Sequence, residues 1–134
     1  MSAGVTERAW SVSVPHHARG ASIARHHLER ALRAASVEAD VITDAVCVVS
    51  ELVGNAVRHA RARRGDLVTV DWSVLRDRVQ VRVLDGGSGS VPRLRNPPMD
   101  SVHGRGLQIV AALAVRWGVE SVPGGRCVWA ELPC

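Results

Sequence analysis

The sequence predicts an α+β domain, a two-layer α/β sandwich in which three helices cover one face of a mixed, mostly antiparallel sheet. The first observation is the order in which helix-like and strand-like patterns of apolar residues follow one another. It indicates β-α-α-β-β, then a long loop, then α-β-β. The second is a pair of period-two runs separated only by Arg76-Asp77, which is typical of an antiparallel hairpin. A chain of 134 residues, 46% of them hydrophobic, suits one domain with a substantial core. We expect a flexible N-terminus over residues 1–9 and a single domain over residues 10–134.

The first half of the chain contains one strand signal and two helix signals. Apolar and polar residues alternate from Trp10 to Val14, which predicts a half-exposed strand. Residues 18–35 carry apolar side chains at helical spacing and predict the first helix. Ser36 has the side chain of an N-cap and is followed by acidic residues, so we expect it to start a second helix that runs to about residue 62.

The second half contains the hairpin, a loop and three closing elements. We expect strands over residues 67–75 and 79–85, then a long loop over residues 86–103 and a third helix over residues 104–117. Two more strands would follow over residues 119–122 and 126–132. The third helix would carry Trp117 on its apolar face. A long loop without periodicity is usually functional in a compact domain.

Composition argues against two classes of partner. The net charge is +4 and all 17 basic residues are arginine, but they are spread along the chain and no Phe or Tyr is present for base stacking. No apolar run approaches the roughly 20 residues that a membrane helix needs. We therefore expect no direct nucleic-acid or membrane partner. Three scattered cysteines, Cys47, Cys127 and Cys134, fit free thiols in a reducing cytoplasm.

The second predicted helix carries an unusual polar stripe. Glu51 and Asn55 are four residues apart and therefore share one helical face, which Arg58 and His59 continue. Unpaired polar groups of this kind are costly to bury. They lie either at the surface or in a polar cleft, and we favour the cleft because two glycine motifs further along the chain supply its other walls.

The first glycine motif is Asp85-Gly86-Gly87-Ser88-Gly89, directly after a Val-rich strand. Its glycines allow a sharp turn and a close approach to a ligand, although an isolated motif of this kind is more often only a turn. The second is His103-Gly104-Arg105-Gly106-Leu107, at the predicted start of a helix. Free N–H groups at a helix N-terminus favour a phosphate, although this motif is equally compatible with an ordinary helix start.

Together the three motifs resemble the ATP-binding module of the GHKL superfamily, which includes DNA gyrase, histidine kinases, MutL-type repair proteins and heat-shock chaperones. The run Glu51 to Ala56 resembles its N box, the run Asp85 to Gly89 its G1 box, and the run Gly104 to Leu107 its G2 box. Within that group, the chain is most similar to the anti-sigma-factor serine/threonine kinases and their actinobacterial relatives. The resemblance covers roughly residues 10–133 and implies a Bergerat-type ATP-binding fold.

The resemblance implies a role for each motif. Asp85 would accept a hydrogen bond from the adenine amine, Asn55 would hold Mg²⁺, and Glu51 would act as the general base. The phosphates would accept hydrogen bonds from the backbone N–H groups of Gly104 and Gly106. Positive charge would come from Arg58, His59, Arg93, Arg95, His103 and Arg105. Taken alone, each loop arginine is more often a solvated charge than a phosphate ligand. Gly87, Gly89 and Leu107 complete the expected nucleotide site.

One position departs from the family pattern. Related domains usually place a threonine on a late strand beside the adenine, and the position that resembles it in this sequence is Cys127. A thiol is a weak hydrogen-bond donor, so this residue would weaken nucleotide binding.

The resemblance implies a cytoplasmic ATP/Mg²⁺-binding regulator. It would act as an anti-sigma factor with serine/threonine kinase activity toward a small antagonist protein, and a homodimer is compatible with it. The alternative is a non-catalytic module that binds its partner protein and uses ATP as a structural ligand or has lost it. Glu51 favours the enzyme, because a pure binder has no use for a base, whereas Cys127 favours the binder. A histidine-kinase catalytic domain is disfavoured because the chain shows no dimerisation helix pair.

Overall fold

A computed structural model describes residues 7–87 and 107–134 in full and residues 101–106 as helical backbone. The eight elements are β1 (Arg8–Pro15), α1 (Ala18–Ala34), α2 (Ala39–His59), β2 (Leu67–Val74), β3 (Arg78–Asp85), α3 (Ser101–Leu113), β4 (Arg116–Val122) and β5 (Gly125–Pro133). Their order is the one that the sequence predicts. β1 starts at Arg8, before the alternating run that signals it.

The five strands form one open sheet in the order β1-β2-β3-β5-β4. Every pairing among these strands is antiparallel. The predicted α+β sandwich is therefore confirmed, with an antiparallel sheet in place of a mixed one. None of the helices that the structure describes is both long and apolar enough to span a bilayer.

Strand alternation gives the sheet two different faces. One face carries the valines of β2 and β3, which are buried under the apolar sides of the helices. The other face carries polar contacts between neighbouring strands, such as the 2.6 Å hydrogen bond that Ser11 donates to Asp71. The helices therefore lie in a single layer, as the sequence predicts, and every inward-facing polar side chain lies between the two layers.

The junction between the first two helices differs from the prediction. Ser36 has a positive φ of 64° and follows the end of α1, where its N–H donates to the carbonyl oxygen of Arg33 at 3.0 Å. The N–H of Val37 donates to the carbonyl oxygen of Leu32 at 3.0 Å, and Val37 is buried. These bonds form the left-handed C-terminal motif that usually contains glycine. The prediction of Ser36 as the N-cap of α2 is wrong, because the N-cap is Glu38, which makes no side-chain cap bond.

The third helix ends earlier than the sequence predicts. α3 stops at Leu113, and the N–H of Val115 donates to the carbonyl oxygen of Glu131 at 2.8 Å. Trp117 lies in β4, directly opposite Ala130 of β5, so its predicted place on the helix is wrong. Pairing with β5 competes successfully with helical periodicity here, as tertiary contacts commonly do for aromatic and β-branched residues.

Replacing Ser36 by glycine is expected to stabilise the protein by about 0.5–1 kcal/mol. The left-handed conformation costs a non-glycine residue roughly 1–2 kcal/mol, and the greater entropy of glycine in the unfolded chain offsets part of the gain. Thermal or urea unfolding would measure the change. Ser22→Gly, at an exposed position inside α1, is the control and should lower stability by about 0.5 kcal/mol. A loss of stability in Ser36→Gly would contradict this account of the helix end.

Candidate functional site

The polar stripe of α2 lies beside its apolar face. Leu52 and Ala56 are buried, whereas Glu51 is half-buried and Asn55 is 7% exposed. The Asn55 carboxamide makes no hydrogen bond to any residue that the structure describes in full. Its oxygen is therefore available to a cation or another ligand, and most of the side chain is nevertheless removed from water.

The next turn of α2 brings a cation back toward the stripe. A Cβ atom built on Gly54 would lie 2.9 Å from Nη1 of Arg58, so the guanidinium lies directly over Gly54. Gly54 is the residue whose missing side chain leaves room for this contact. Arg58 is otherwise exposed, and His59 is half-buried in the last turn. The C-terminal half of α2 thus presents a carboxylate, a carboxamide and a guanidinium along one side.

Two backbone hydrogen bonds attach the exit of α2 to the end of β3. The Arg61 N–H donates to the carbonyl oxygen of Gly87 at 2.9 Å, and the Gly86 N–H donates to the carbonyl oxygen of Arg61 at 2.7 Å. A Cβ atom on Gly86 would clash with the carbonyl oxygen of Ala62, so this close approach requires glycine. The link, which we call the α2–β3 junction, holds the first glycine motif against the helix that carries the polar stripe.

The carboxylate of Asp85 is buried at this junction. Asp85 is 1% exposed and occupies an inward-facing position, in register with Val79, Val81 and Val83 of the same strand. Its Oδ1 accepts a hydrogen bond from the Gly87 N–H at 2.7 Å. The loop after β3 therefore turns back onto the carboxylate that ends the strand.

The second partner of Asp85 is a residue that the sequence analysis missed. Arg126 stands opposite Asp85 in the β3–β5 ladder, is 7% exposed, and donates from Nε to Oδ2 of Asp85 at 3.0 Å. The sequence does carry a signal for it. Alternation in β5 places Arg126 in the inward-facing set with Val128 and Ala130, where an isolated cation needs a buried anion.

The prediction that Cys127 lies beside the carboxylate of Asp85 is wrong. Cys127 pairs with Leu84, and strand alternation directs it to the face of the sheet opposite Asp85. There the Nε of Arg82 lies 3.4 Å from its Sγ. Burial raises the pKa of the Cys127 thiol above its ordinary value, although the Arg82 hydrogen bond opposes the shift. The inward-facing neighbour of Asp85 on β5 is Arg126.

The second glycine motif lies within α3. The helix begins at Ser101 and not at Gly104, so the prediction that the motif opens the helix is wrong. The first four N–H groups of a helix lack internal acceptors, and of the two glycines only Gly104 is among those four. Leu107 is buried at 1% exposure. Gly89, Arg93 and Arg95, and the side chains of His103 and Arg105, lie outside the described residues.

The donor set suits a weakly ligated hard cation better than a metal centre built from side chains. Among the residues described in full, no group of three or more His, Cys, Asp or Glu side chains could hold a metal ion. Mg²⁺ commonly takes one or two protein oxygens and completes its octahedron with waters and substrate phosphates. The available carboxamide oxygen of Asn55 fits that pattern.

Comparisons with known proteins identify the family and the fold. A family model described as a histidine kinase-like ATPase domain matches residues 14–132. No curated protein matches the chain. Among solved structures, the crystal structure of the RsbU and RsbW domains of Rv1364c from Mycobacterium tuberculosis matches with a TM-score of 0.71 and 21% identity. The match covers 93% of this chain and 32% of that chain, so this chain spans about a third of the matched protein.

The family match extends over nearly the whole sheet and over α1, α2 and α3, and it includes both Asn55 and Asp85. The chain therefore belongs to the histidine kinase-like ATPase domain family.

Proposed function

We propose that this chain is an ATP- and Mg²⁺-binding regulator, an anti-sigma factor with serine/threonine kinase activity toward a small antagonist protein. The observation that carries the proposal is the buried Asp85 carboxylate, fixed by the α2–β3 junction beside the helix that bears Asn55 and Glu51. Membership of the ATPase family and likeness to a structure that contains an RsbW domain support it. The domain would comprise residues 10–134 and would act in the cytoplasm.

The adenine base of ATP would bind at Asp85. A purine amine is a donor and a carboxylate only accepts, so the pair would form a charge-assisted hydrogen bond. The Gly87 N–H holds Oδ1 in place, which fixes the orientation of the carboxylate before the nucleotide arrives. Gly87 and Gly89 would let the backbone approach the base closely, and Leu107 would line the pocket.

The phosphates would bind between α2 and the start of α3. Asn55 would hold Mg²⁺, which would neutralise phosphate charge. Arg58 and His59 would add positive charge from α2 and Arg105 from α3, with Arg93, Arg95 and His103 as further candidates. Gly104 would offer its backbone N–H group to a phosphate, and Gly106 would allow the helix backbone to approach it closely. Phosphoryl transfer depends mainly on such positioning and charge neutralisation.

Glu51 would take the proton from the attacking hydroxyl. It lies one helical turn before Asn55 on the same side of α2, so a base and a metal ligand would be held in a fixed relation by the helix. The acceptor would be a serine or threonine hydroxyl of the antagonist protein. A sigma factor would be the second partner, and a homodimer is compatible with this function.

A non-catalytic regulator that binds its partner protein remains the second candidate. One observation favours it: Oδ2 of Asp85 already accepts from Arg126, so the carboxylate has a partner without nucleotide. Such a protein would use ATP as a structural ligand or would have lost it.

Calorimetric titration with ATP, with and without Mg²⁺, tests the nucleotide site. We expect saturable binding that Mg²⁺ strengthens, and a loss of roughly 10–150-fold in affinity in Asp85→Asn, because a charge-assisted bond worth about 1.5–3 kcal/mol is lost. Asp71→Asn is the control, because this carboxylate lies on the helix-free face and accepts from Ser11. Unchanged affinity in a folded Asp85→Asn variant would refute the base site.

Replacing Glu51 by alanine separates binding from chemistry. We expect ATP affinity to stay within about threefold, because Glu51 would contact the proton of the attacking hydroxyl and not the adenine. Phosphate transfer should fall by roughly 100-fold or more. The readout is transfer of labelled γ-phosphate to the antagonist protein captured by this chain. Glu29→Ala, on α1, is the control. Persistent transfer in Glu51→Ala would exclude Glu51 as the base, and ATP binding without transfer in the unmodified protein would favour the non-catalytic regulator.

Gly54→Ala is expected to raise the free energy of unfolding and to lower the affinity for ATP. Alanine is the better helix former by up to about 1 kcal/mol, so the free energy of unfolding should rise. The new Cβ would displace the Arg58 guanidinium, which should weaken ATP binding by up to about fivefold if that exposed cation faces the phosphates. Thermal unfolding and calorimetry give the two numbers. Arg58→Gln should reproduce the loss of affinity without the gain in stability, and a destabilised Gly54→Ala would contradict the geometry.

A further inference from the structure

The site contains one buried charge for which the proposed function has no use. Arg126 projects inward from β5 with 7% of its surface exposed, and its Nε donates to Oδ2 of Asp85. Neither base recognition nor phosphoryl transfer requires a cation at this position. Asp85, however, is the residue that the proposed function assigns to the base.

The two donors to Asp85 differ in how easily they can move. The Gly87 N–H belongs to backbone that the α2–β3 junction holds through the 2.9 Å bond between Arg61 and Gly87. The Arg126 donor ends a long side chain with several rotatable bonds. Because Asp85 is only 1% exposed, a ligand can reach its carboxylate only if a neighbouring group moves, and Oδ2 is the oxygen whose described donor belongs to a side chain and not to the backbone.

We propose that Arg126 is an internal competitor for the base, which holds Oδ2 of Asp85 until the nucleotide amine replaces it. This inference rests on the proposed nucleotide site and adds a residue that sets its affinity. The guanidinium neutralises the buried carboxylate in the empty protein, where an unpaired charge would be strongly unfavourable. Base binding then exchanges one charge-assisted donor for another, so the net gain from the amine is smaller than it would be if Oδ2 had no competing donor.

The competition has a definite consequence for affinity. A shorter, neutral side chain that can still donate a hydrogen bond holds the carboxylate less firmly, because hydrogen bonds between neutral and charged partners lack the ion-pair attraction. Arg126→Gln should therefore bind ATP at least about 10-fold more tightly than the unmodified protein, which corresponds to about 1.4 kcal/mol. Arg126→Lys, which keeps the charge, should lie between the two.

Calorimetric titration with ATP and Mg²⁺ tests this. The chain supplies a matched control in Arg116→Gln. Arg116 also pairs with a buried carboxylate, that of Glu131 at 2.7 Å, but on the helix-free face, so its loss should leave ATP affinity unchanged. Thermal unfolding shows whether each variant is folded. Equal or weaker ATP binding by a folded Arg126→Gln would overturn the proposal and indicate that Arg126 helps to bind the base.

A second measurement uses the unmodified protein and does not depend on the stability of a variant. The ¹⁵N–H signal of the Arg126 Nε group, assigned by its absence in Arg126→Lys, should lose its protection from solvent exchange on saturation with ATP. The Nε–H signal of Arg116, which donates to Oε1 of Glu131 at 3.0 Å, is the internal reference and should not change. An Arg126 signal that stays protected at saturation would refute displacement.

The outcomes separate this proposal from the proposed function. Binding by Arg126→Gln but not by the unmodified protein supports both the base site and the competition. Binding by both with equal affinity leaves the base site standing and removes the competition. No ATP binding by either folded protein up to millimolar concentration refutes the nucleotide site, and the competition with it.

Discussion

The candidate site depends on the α2–β3 junction. Two backbone hydrogen bonds, from Arg61 to Gly87 and from Gly86 to Arg61, fix the exit of the helix against the end of the strand. These bonds hold the end of α2, which carries the polar stripe, at a fixed position relative to the carboxylate of Asp85. The junction needs a glycine at position 86, where any Cβ would meet the carbonyl oxygen of Ala62. The backbone bonds of the junction therefore act together with the apolar packing of α2 on β3 to set the geometry between Asn55 and Asp85.

The sheet supports this junction by separating its two faces. The inward face under the helices is mostly apolar, with valine its commonest residue, and Asp85 and Arg126 are polar exceptions at one end of the β3–β5 ladder. The outward face pairs its polar groups across strands, as Ser11 does with Asp71. The buried ion pair between the layers thus lies at the end of β3, where the chain turns toward α2.

The sequence was sufficient for features that follow from local periodicity and failed where a single contact decides. Alternation predicts the hairpin of β2 and β3, and helical spacing predicts the stripe on α2. Both patterns can be recognised from neighbouring residues in the sequence. Ser36 was misplaced because a serine signals an N-cap, whereas here its backbone closes the preceding helix. Cys127 was assigned to the base site by motif alignment, and a shift of one residue reverses the face of a strand. Arg126 could have been recognised from the alternation of β5, but the ladder that sets it opposite Asp85 is a long-range pairing.

The two buried carboxylates of the sheet differ in how fully they are satisfied, and the difference indicates which of them is prepared for a ligand. Oε1 of Glu131 accepts from Nε and Nη2 of Arg116 at 3.0 and 2.7 Å, and Oε2 accepts from Gln80 at 3.1 Å. Asp85 accepts only one bond on each oxygen among the described residues. A carboxylate offers about four acceptor positions, so Asp85 retains more unused capacity. Because a buried ion pair contributes little net stability compared with apolar packing, a half-satisfied one is better explained by ligand binding than by the needs of the fold.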